Sequence, residues 1–238
     1  MSQHFPEALP HGDITEFCPD VFWVRGSMRM KRVFAFSRNM IILRQGEELT
    51  LVNTVRLDDD GLRKLDQLGR VTHVIKLGHF HDRDDPFYVD RYKAKFWAMA
   101  GHKHGLDLKA DVEMTETVQL PVDDARLFRF QGAKVAEAII HLKRNGGILI
   151  CCDALQNWRK ATPEFNWFAR IMMPLMGFMK PANVGPAWLK ASQAKAVDFE
   201  RLQTFTYKHL LPAHGDPIRD DAYEQFSKTF ERLFEDDE

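Results

Sequence analysis

Short apolar runs divided by turn residues occupy residues 14–57, a pattern typical of consecutive β-strands. The run Gln45-Gly-Glu supplies a hairpin turn before the last of these strands, and a basic turn precedes residue 33. We predict strands at 21–24, 33–36, 40–43 and 49–55.

The apolar spacing changes to a helical period at Asp58, where three successive aspartates give an acidic first turn that suits a helix N-terminus. Strands and helices follow, and Arg144-Asn-Gly-Gly147 is a second hairpin signal. Further strands are predicted from 71 and at 95–100, 115–120, 125–131, 136–142 and 147–152, with helices at 58–68, 86–92, 198–211 and 220–234. This order predicts one α/β domain over residues 1–238, with two sheets inside and helices outside.

Charge and composition exclude several classes of partner. Lys and Arg (33) nearly balance Asp and Glu (34) and are scattered along the chain, which predicts neither a nucleic-acid nor a membrane partner. The polar segment 1–7 predicts no signal peptide, and the most apolar stretch, 165–179, is too short to span a bilayer. Three cysteines form neither a disulfide framework nor a CxxC pattern, so we expect a cytoplasmic protein.

Histidines and aspartates follow the predicted strand at 71–77. His79 and His81 stand two apart, and Asp82, Asp84 and Asp85 come next. Imidazole and carboxylate groups are ligands of Zn, Fe and Mn, so this loop indicates a metal site. A solvated loop is the alternative for an isolated His-x-His pair.

Two later segments have the same form, an apolar strand that ends in a side chain able to bind a metal. Residues 148–152 lead into Asp153, and residues 210–213 lead into His214. With these three segments the sequence resembles the metallo-β-lactamase superfamily over nearly its whole length. Its His-x-His-x-Asp-His motif falls on His79-Phe-His-Asp-Arg-Asp84, its bridging aspartate on Asp153 and its last histidine on His214. The resemblance implies a four-layer αβ/βα sandwich whose strand-end loops hold one or two metal ions.

The departures from that motif change the expected metal count. Arg83 replaces the motif's aspartate, Asp84 replaces its third histidine, and residues 131–134 hold no histidine where the family has one. Like charges about 4 Å apart repel by roughly 4 kcal/mol at an effective dielectric near 20, so Arg83 disfavours a second ion. The resemblance therefore implies one divalent ion held by His79, His81, Asp153 and His214, with Zn ahead of Fe or Mn.

Two functions follow from that site. The first is a metal-dependent hydrolase of a small ester, lactone or thioester, in which an ion-activated water attacks and Arg83 and Asp84 act beside it. The second is an inactive protein of the same fold without metal, in which Arg83 pairs with Asp84 or Asp153 and the site serves as a ligand pocket or scaffold.

Three further features leave alternatives open. His102 and His104 form either a solvated loop or replacement ligands, whereas His73 and His141 are expected to be structural. The Trp-, Met- and Phe-rich stretch 167–188 predicts helices packed on a sheet, an apolar wall over the groove, or the surface of a homodimer.

Overall fold

Two β-sheets lie at the centre of the computed structural model, which describes residues 4–30, 33–102 and 104–234. Strand order in the seven-stranded sheet follows the chain; its first four strands are antiparallel neighbours and its last four are parallel. These strands are β1 Thr15–Cys18, β2 Val21–Met30, β3 Phe34–Gln45, β4 Glu48–Val52, β5 Arg70–Lys76, β6 Lys95–Met99 and β7 Val112–Met114.

A second sheet and a short strand pair follow. The second sheet contains β8 Ala125–Arg129, β9 Ala138–Leu142, β10 Ile148–Cys151 and β13 His209–Pro212, in the order β13-β10-β9-β8. Strands β11 Leu155–Gln156 and β12 Asn183–Val184 form a separate antiparallel pair. In the second sheet β10 pairs parallel with β13, so both strands end at the same edge.

Within the described residues, six α-helices cover the sheets. They are α1 Asp59–Leu68, α2 Asp85–Tyr92, α3 Trp167–Leu175, α4 Pro186–Ser192, α5 Ala196–Gln203 and α6 Ala222–Phe234. Asp58 caps α1, since its carboxylate accepts the backbone N–H of Gly61 at 2.8 Å. No helix among the described residues is long and apolar enough to cross a membrane.

Three apolar layers hold four layers of secondary structure together. Ile41 and Ile75 of the first sheet meet Ile140 and Ile150 of the second between the sheets. The outer faces of the sheets are covered by α1 and α2 on one side and by α4, α5 and α6 on the other. This arrangement confirms the predicted αβ/βα sandwich.

The predicted strands at 33–36 and 40–43 are a single strand, β3. Asn39 is not a break between them: its side-chain amide donates to the carbonyls of Pro212 and Gly215 at 2.8 and 2.7 Å. Asn39 is therefore a buried polar residue within a strand, although its residue type alone suggested a turn. Residues 31–32 of the predicted basic turn, residues 1–3 of the polar N-terminal segment, residue 103 and residues 235–238 lie outside the described residues.

Two other element predictions are wrong. Residues 115–120 form a turn, with the N–H of Val118 donating to the carbonyl of Thr115 at 3.0 Å, and the strand lies just before it, in β7. The helix predicted at 198–211 ends at Gln203, and Leu210 and Leu211 belong to β13. Parallel pairing with β10 decides the conformation of this apolar segment, whose spacing alone also fits a helix.

Candidate metal centre

Three loops leave the sheets at one place. Asp153 and His214 each lie two residues beyond the last register pair of β10 and β13, Cys151 with Pro212. The end of β5 approaches the same point, because Gly78 lies against the Cys152 side chain with no space for a Cβ atom. The loops that carry His81, Asp153 and His214 are thereby brought to a common edge.

The side chains of these three residues converge. The Nε2 atoms of His81 and His214 are 3.1 Å apart, and the Asp153 carboxylate lies 3.2 Å from each. A tetrahedral Zn²⁺ with bonds of about 2.1 Å has ligand atoms roughly 3.4 Å apart. Two imidazoles and one carboxylate at these separations fit a small divalent cation with at least one position left open.

Burial and charge oppose each other in this group. Burial lowers the pKa of His81, with smaller contributions from His214 and Arg38, and this outweighs the Asp153 carboxylate, which raises it. Burial also disfavours ionisation of Asp153, but hydrogen bonds and electrostatic attraction from His81 and His214 outweigh it and hold the pKa of Asp153 well below its usual range. Both shifts favour the unprotonated forms of His81 and Asp153, which are the forms that bind a metal ion.

A buried glutamate fixes the turn that presents Asp153. One carboxylate oxygen of Glu137 accepts the backbone N–H groups of Cys152 and Ala154, at 3.2 and 2.7 Å. Burial and the negative charge of Asp153 raise the pKa of Glu137. The residues on both sides of Asp153 are thus bonded to the residue just before β9, which restricts the direction of the Asp153 side chain.

The His214 loop is held in a similar way. Its carbonyl accepts the N–H of Asn157 at 3.0 Å, and Asn39 bonds the carbonyls on both sides of it. Gly215, with φ +94°, lies so close to the backbone of Asn157 that a Cβ atom would stand 2.1 Å from the Asn157 carbonyl oxygen. Only glycine fits this close approach, which explains the His-Gly pair.

His79, the other histidine predicted as a ligand, does not join the group. Among the described residues, two groups have ligand atoms within 4.8 Å of one another, one formed by His81, Asp153 and His214 and the other by Glu137, Cys152 and Asp153, and neither includes His79. The His79 ring instead contacts the His102 ring, with centroids 5.4 Å apart. A ligand role for His79 stays a prediction that this geometry does not support.

Arg83 and Asp84 form an ion pair beside the site. Arg83 donates to the Asp84 carboxylate and, at 2.7 Å, to the carbonyl of Glu7. Asp84 also accepts the backbone N–H of Arg56 at 3.1 Å. The roles predicted for Arg83 and Asp84 beside the reacting water stay predictions, since both side chains are engaged in these contacts.

Arg38, like Glu137, is a site residue that the sequence analysis missed. Its buried guanidinium donates to the carbonyl of Thr54 and to Asp84, the latter at 3.2 Å, and lies 3.3 Å from Nδ1 of His81. A guanidinium can only donate, so Nδ1 of His81 is the acceptor, and the hydrogen of neutral His81 sits on Nε2. Arg38 therefore opposes cation binding through its charge and through the tautomer it favours. The sequence feature that could have drawn attention to Arg38 is a run of three polar residues, Ser37-Arg-Asn39, inside an apolar strand.

His102 and His104 do not replace the missing ligand in this structure. Nε2 of His102 lies 2.9 Å from the carbonyl oxygen of Ala136, and burial lowers the pKa of His102 to about 4. At the position where the family has another histidine, the backbone N–H groups of Gln131 and Gly132 bond the Asp198 carboxylate at 2.9 and 3.0 Å.

The structural histidines behave as predicted. Nδ1 of His73 accepts from the Trp97 indole at 3.0 Å, and Nε2 of His141 lies 2.8 Å from the carbonyl of Thr206.

An apolar cavity of about 410 Å³ lies over the three converging side chains. His81, Asp153 and His214 form its polar floor, and its walls are mostly methionine and aromatic side chains. The walls include Met28, Phe34, Phe36, Trp158, Met173 and Phe178. The stretch 167–188 thus contributes an apolar wall, one of the alternatives left open by its composition.

Comparison with known proteins identifies the fold. No family model matches the chain, and no curated protein matches it by sequence. Solved metallo-β-lactamases match its structure. FIM-1 from Pseudomonas aeruginosa in a mono-zinc form has a TM-score of 0.63 at 13% identity, covering 96% of this chain and 98% of its own. DIM-1 has a TM-score of 0.62 at 11% identity, covering 94% and 100%, and the enzyme from Erythrobacter litoralis 0.60 at 13%, covering 95% and 96%. The chain has the metallo-β-lactamase fold.

Proposed function

We propose that this protein, which has the metallo-β-lactamase fold, is a hydrolase that uses one divalent metal ion, with zinc as the first candidate. The observation that carries the proposal is the convergence of His81, Asp153 and His214 at the floor of an otherwise apolar cavity. A protein of the same fold has been crystallised in a mono-zinc form, which is consistent with one ion.

The chain's own residues would divide the work as follows. His81, Asp153 and His214 would hold the ion, and Glu137 would keep Asp153 directed at it through the flanking N–H groups. An ion held there would lower the pKa of a bound water molecule and polarise a carbonyl oxygen. The apolar walls would exclude bulk water and so strengthen each electrostatic contact at the floor.

The cavity supports a substrate with an apolar group attached to the bond that is cleaved. Phe36 and Trp158 line the wall beside His214, with ring centroids 5.9 and 5.0 Å from its imidazole. Such walls favour an acyl or aryl group over a charged one. We therefore propose an ester, thioester or lactone of an apolar acid as the substrate.

Metal content and ester hydrolysis, measured together, test this proposal. Protein purified without chelator should contain about one equivalent of metal and hydrolyse a nitrophenyl ester of a medium-chain acid. A His81→Ala/His214→Ala variant should lose both. His73→Gln, a histidine change in the middle of β5, should keep both. Metal content that is unaffected by the double variant would overturn the assignment.

A second candidate is a binding protein without catalysis. The observation in its favour is Arg38, which already satisfies Nδ1 of His81 and adds positive charge next to the proposed ion. In that case neither wild type nor variant binds metal, whereas apolar carboxylic acids still bind in the cavity. Calorimetric titration with such an acid and with Zn²⁺ distinguishes the two functions.

A further inference from the structure

Exposed apolar side chains are concentrated on one face of the molecule. Ten large hydrophobic side chains are exposed among the described residues, and seven of them belong to the β2–β3 tip, to α3 and its last turn, or to the cavity rim. The seven are Met30, Val33, Phe80, Trp167, Ile171, Leu175 and Met176, and they are called the apolar face below.

Helix α3 has one face buried and the opposite face exposed. Ala169 and Met173 are buried against the cluster around Trp158, whereas Trp167 and Leu175 are 73% and 76% exposed. Trp167, Ile171 and Leu175 are spaced four residues apart and so form one stripe. A helix whose outward stripe is apolar buries that stripe against something else.

The β2–β3 tip and α3 form one continuous surface. The Asn166 side chain caps α3 and also donates to the carbonyl of Val33 at 2.7 Å. Phe34 and Phe168 contact each other, with ring centroids 4.9 Å apart. These contacts join Met30 and Val33 to the exposed stripe of the helix.

The charge of these segments differs from that of the whole chain. Residues 28–36 and 165–180 contain five basic residues and no aspartate or glutamate, in a chain whose formal net charge is −1. The five are Arg29, Lys31, Arg32, Arg170 and Lys180. Arg29 and Lys180 are exposed, while Arg170 is exposed but donates to the carbonyls of Thr162 and Phe165. Glu164, the acid just before the second segment, is half-buried.

The cavity opens on the same face. Met30, Phe80 and Met176 line the cavity and are also 43–48% exposed, so they form its rim. A molecule that leaves an apolar surface in contact with this face can therefore enter the cavity without crossing water.

We propose that the apolar face docks on an anionic phospholipid surface, with the cavity mouth directed at the lipid. An apolar stripe bordered by basic residues matches the combination of hydrocarbon and anionic headgroups at such a surface. A second copy of the chain fits less well, since a two-fold contact would bring like charges together. The sequence predicted no membrane partner from the whole-chain charge, which averages out this local excess.

The test measures binding to lipid vesicles without any substrate, so it is independent of the proposed function. The protein is sedimented with vesicles of phosphatidylcholine alone and with vesicles of equal parts phosphatidylcholine and phosphatidylglycerol. We expect binding to the anionic vesicles, reduced at least roughly tenfold in Trp167→Ser/Leu175→Ser and in Arg29→Glu/Lys180→Glu.

The matched control is Val197→Ser/Leu233→Ser, which removes two exposed apolar side chains from elsewhere and should bind vesicles like wild type. All these positions are exposed, and thermal unfolding should verify that each variant is folded. The proposal would be overturned if wild-type protein sedimented with the anionic vesicles no more than the Trp167→Ser/Leu175→Ser variant does. A concentration-dependent dimer abolished by that variant, without vesicle binding, would overturn it in favour of a contact between copies.

Discussion

Replacement of Arg38 by methionine should tighten metal binding, because it removes a positive charge close to the proposed ion. The guanidinium lies 3.3 Å from Nδ1 of His81, and the ion would bind on the other side of the ring. The separation between the two charges is then roughly 7 Å, where unit charges at an effective dielectric near 20 interact by about 2.4 kcal/mol.

A divalent ion doubles that repulsion, while the Asp84 carboxylate, 3.2 Å from Arg38, offsets part of it. We take about 1.4 to 3 kcal/mol as the net effect, which corresponds to roughly ten- to hundredfold tighter binding. The same substitution releases Nδ1 of His81 to carry the hydrogen, the tautomer that leaves Nε2 free to bind an ion.

Competition calorimetry with a zinc chelator measures the affinity, and imidazole nitrogen chemical shifts report the tautomer separately. Arg38→Lys, the control, keeps the charge and should bind zinc within about threefold of wild type. Thermal unfolding shows whether each variant is folded. A folded Arg38→Met protein with unchanged or weaker zinc affinity would refute the electrostatic reasoning.

Three further predictions concern the surroundings of the site. Gly78→Ala would place a Cβ 2.6 Å from Cys152 Sγ, so we expect about 1–3 kcal/mol lower stability in urea and reduced metal content. Gly12→Ala, whose Cβ meets nothing nearer than 3.7 Å, should leave both unchanged. Glu137→Ala leaves two buried N–H groups without their acceptor and should cost about 2–5 kcal/mol, whereas Glu137→Gln keeps the acceptor oxygen and should cost less. Burial raises the pKa of Asp85 to about 6, so the native state holds a proton that the unfolded state releases near pH 4. Stability therefore falls as pH rises through this window, and Asp85→Asn should gain about 2–3 kcal/mol relative to wild type between pH 4 and pH 7.5; a difference independent of pH would contradict this assignment.

The sequence could predict the strand ends because each combines an apolar run with one polar residue. The loop after β5 and those after β10 and β13 have this form, and parallel pairing of β10 with β13 brings Asp153 and His214 together. The contact between the two sheets was predicted only from the family resemblance, because no local sequence pattern indicates it. His81 joins the group through that contact.

The contacts of Arg38 could not be predicted in the same way. The residue lies in the middle of β3, where alternation assigns side chains to a face but does not identify their partners. Its contacts with Thr54, His81 and Asp84 span 16 to 46 residues of sequence. Asn39, on the same strand, was mistaken for a break for the same reason, since the carbonyls that it binds belong to the His214 loop.

The exchange of aspartate for arginine at position 83 was expected to have one of two consequences. Arg83 would either place a charge next to a second metal position or, in a site without metal, pair with Asp84 or Asp153. In the structure Arg83 binds Asp84 from one side while Arg38 binds it from the other. Buried Asp84 thus forms ion pairs with two arginine side chains, and one of these, Arg38, also contacts His81. The charge that would limit metal binding is therefore carried by Arg38, which contacts the ring of the proposed ligand His81. Arg83, at the motif position that departs from the family, would act on the site only through Asp84. This explains why removal of Arg38 is expected to change zinc affinity more than removal of Arg83.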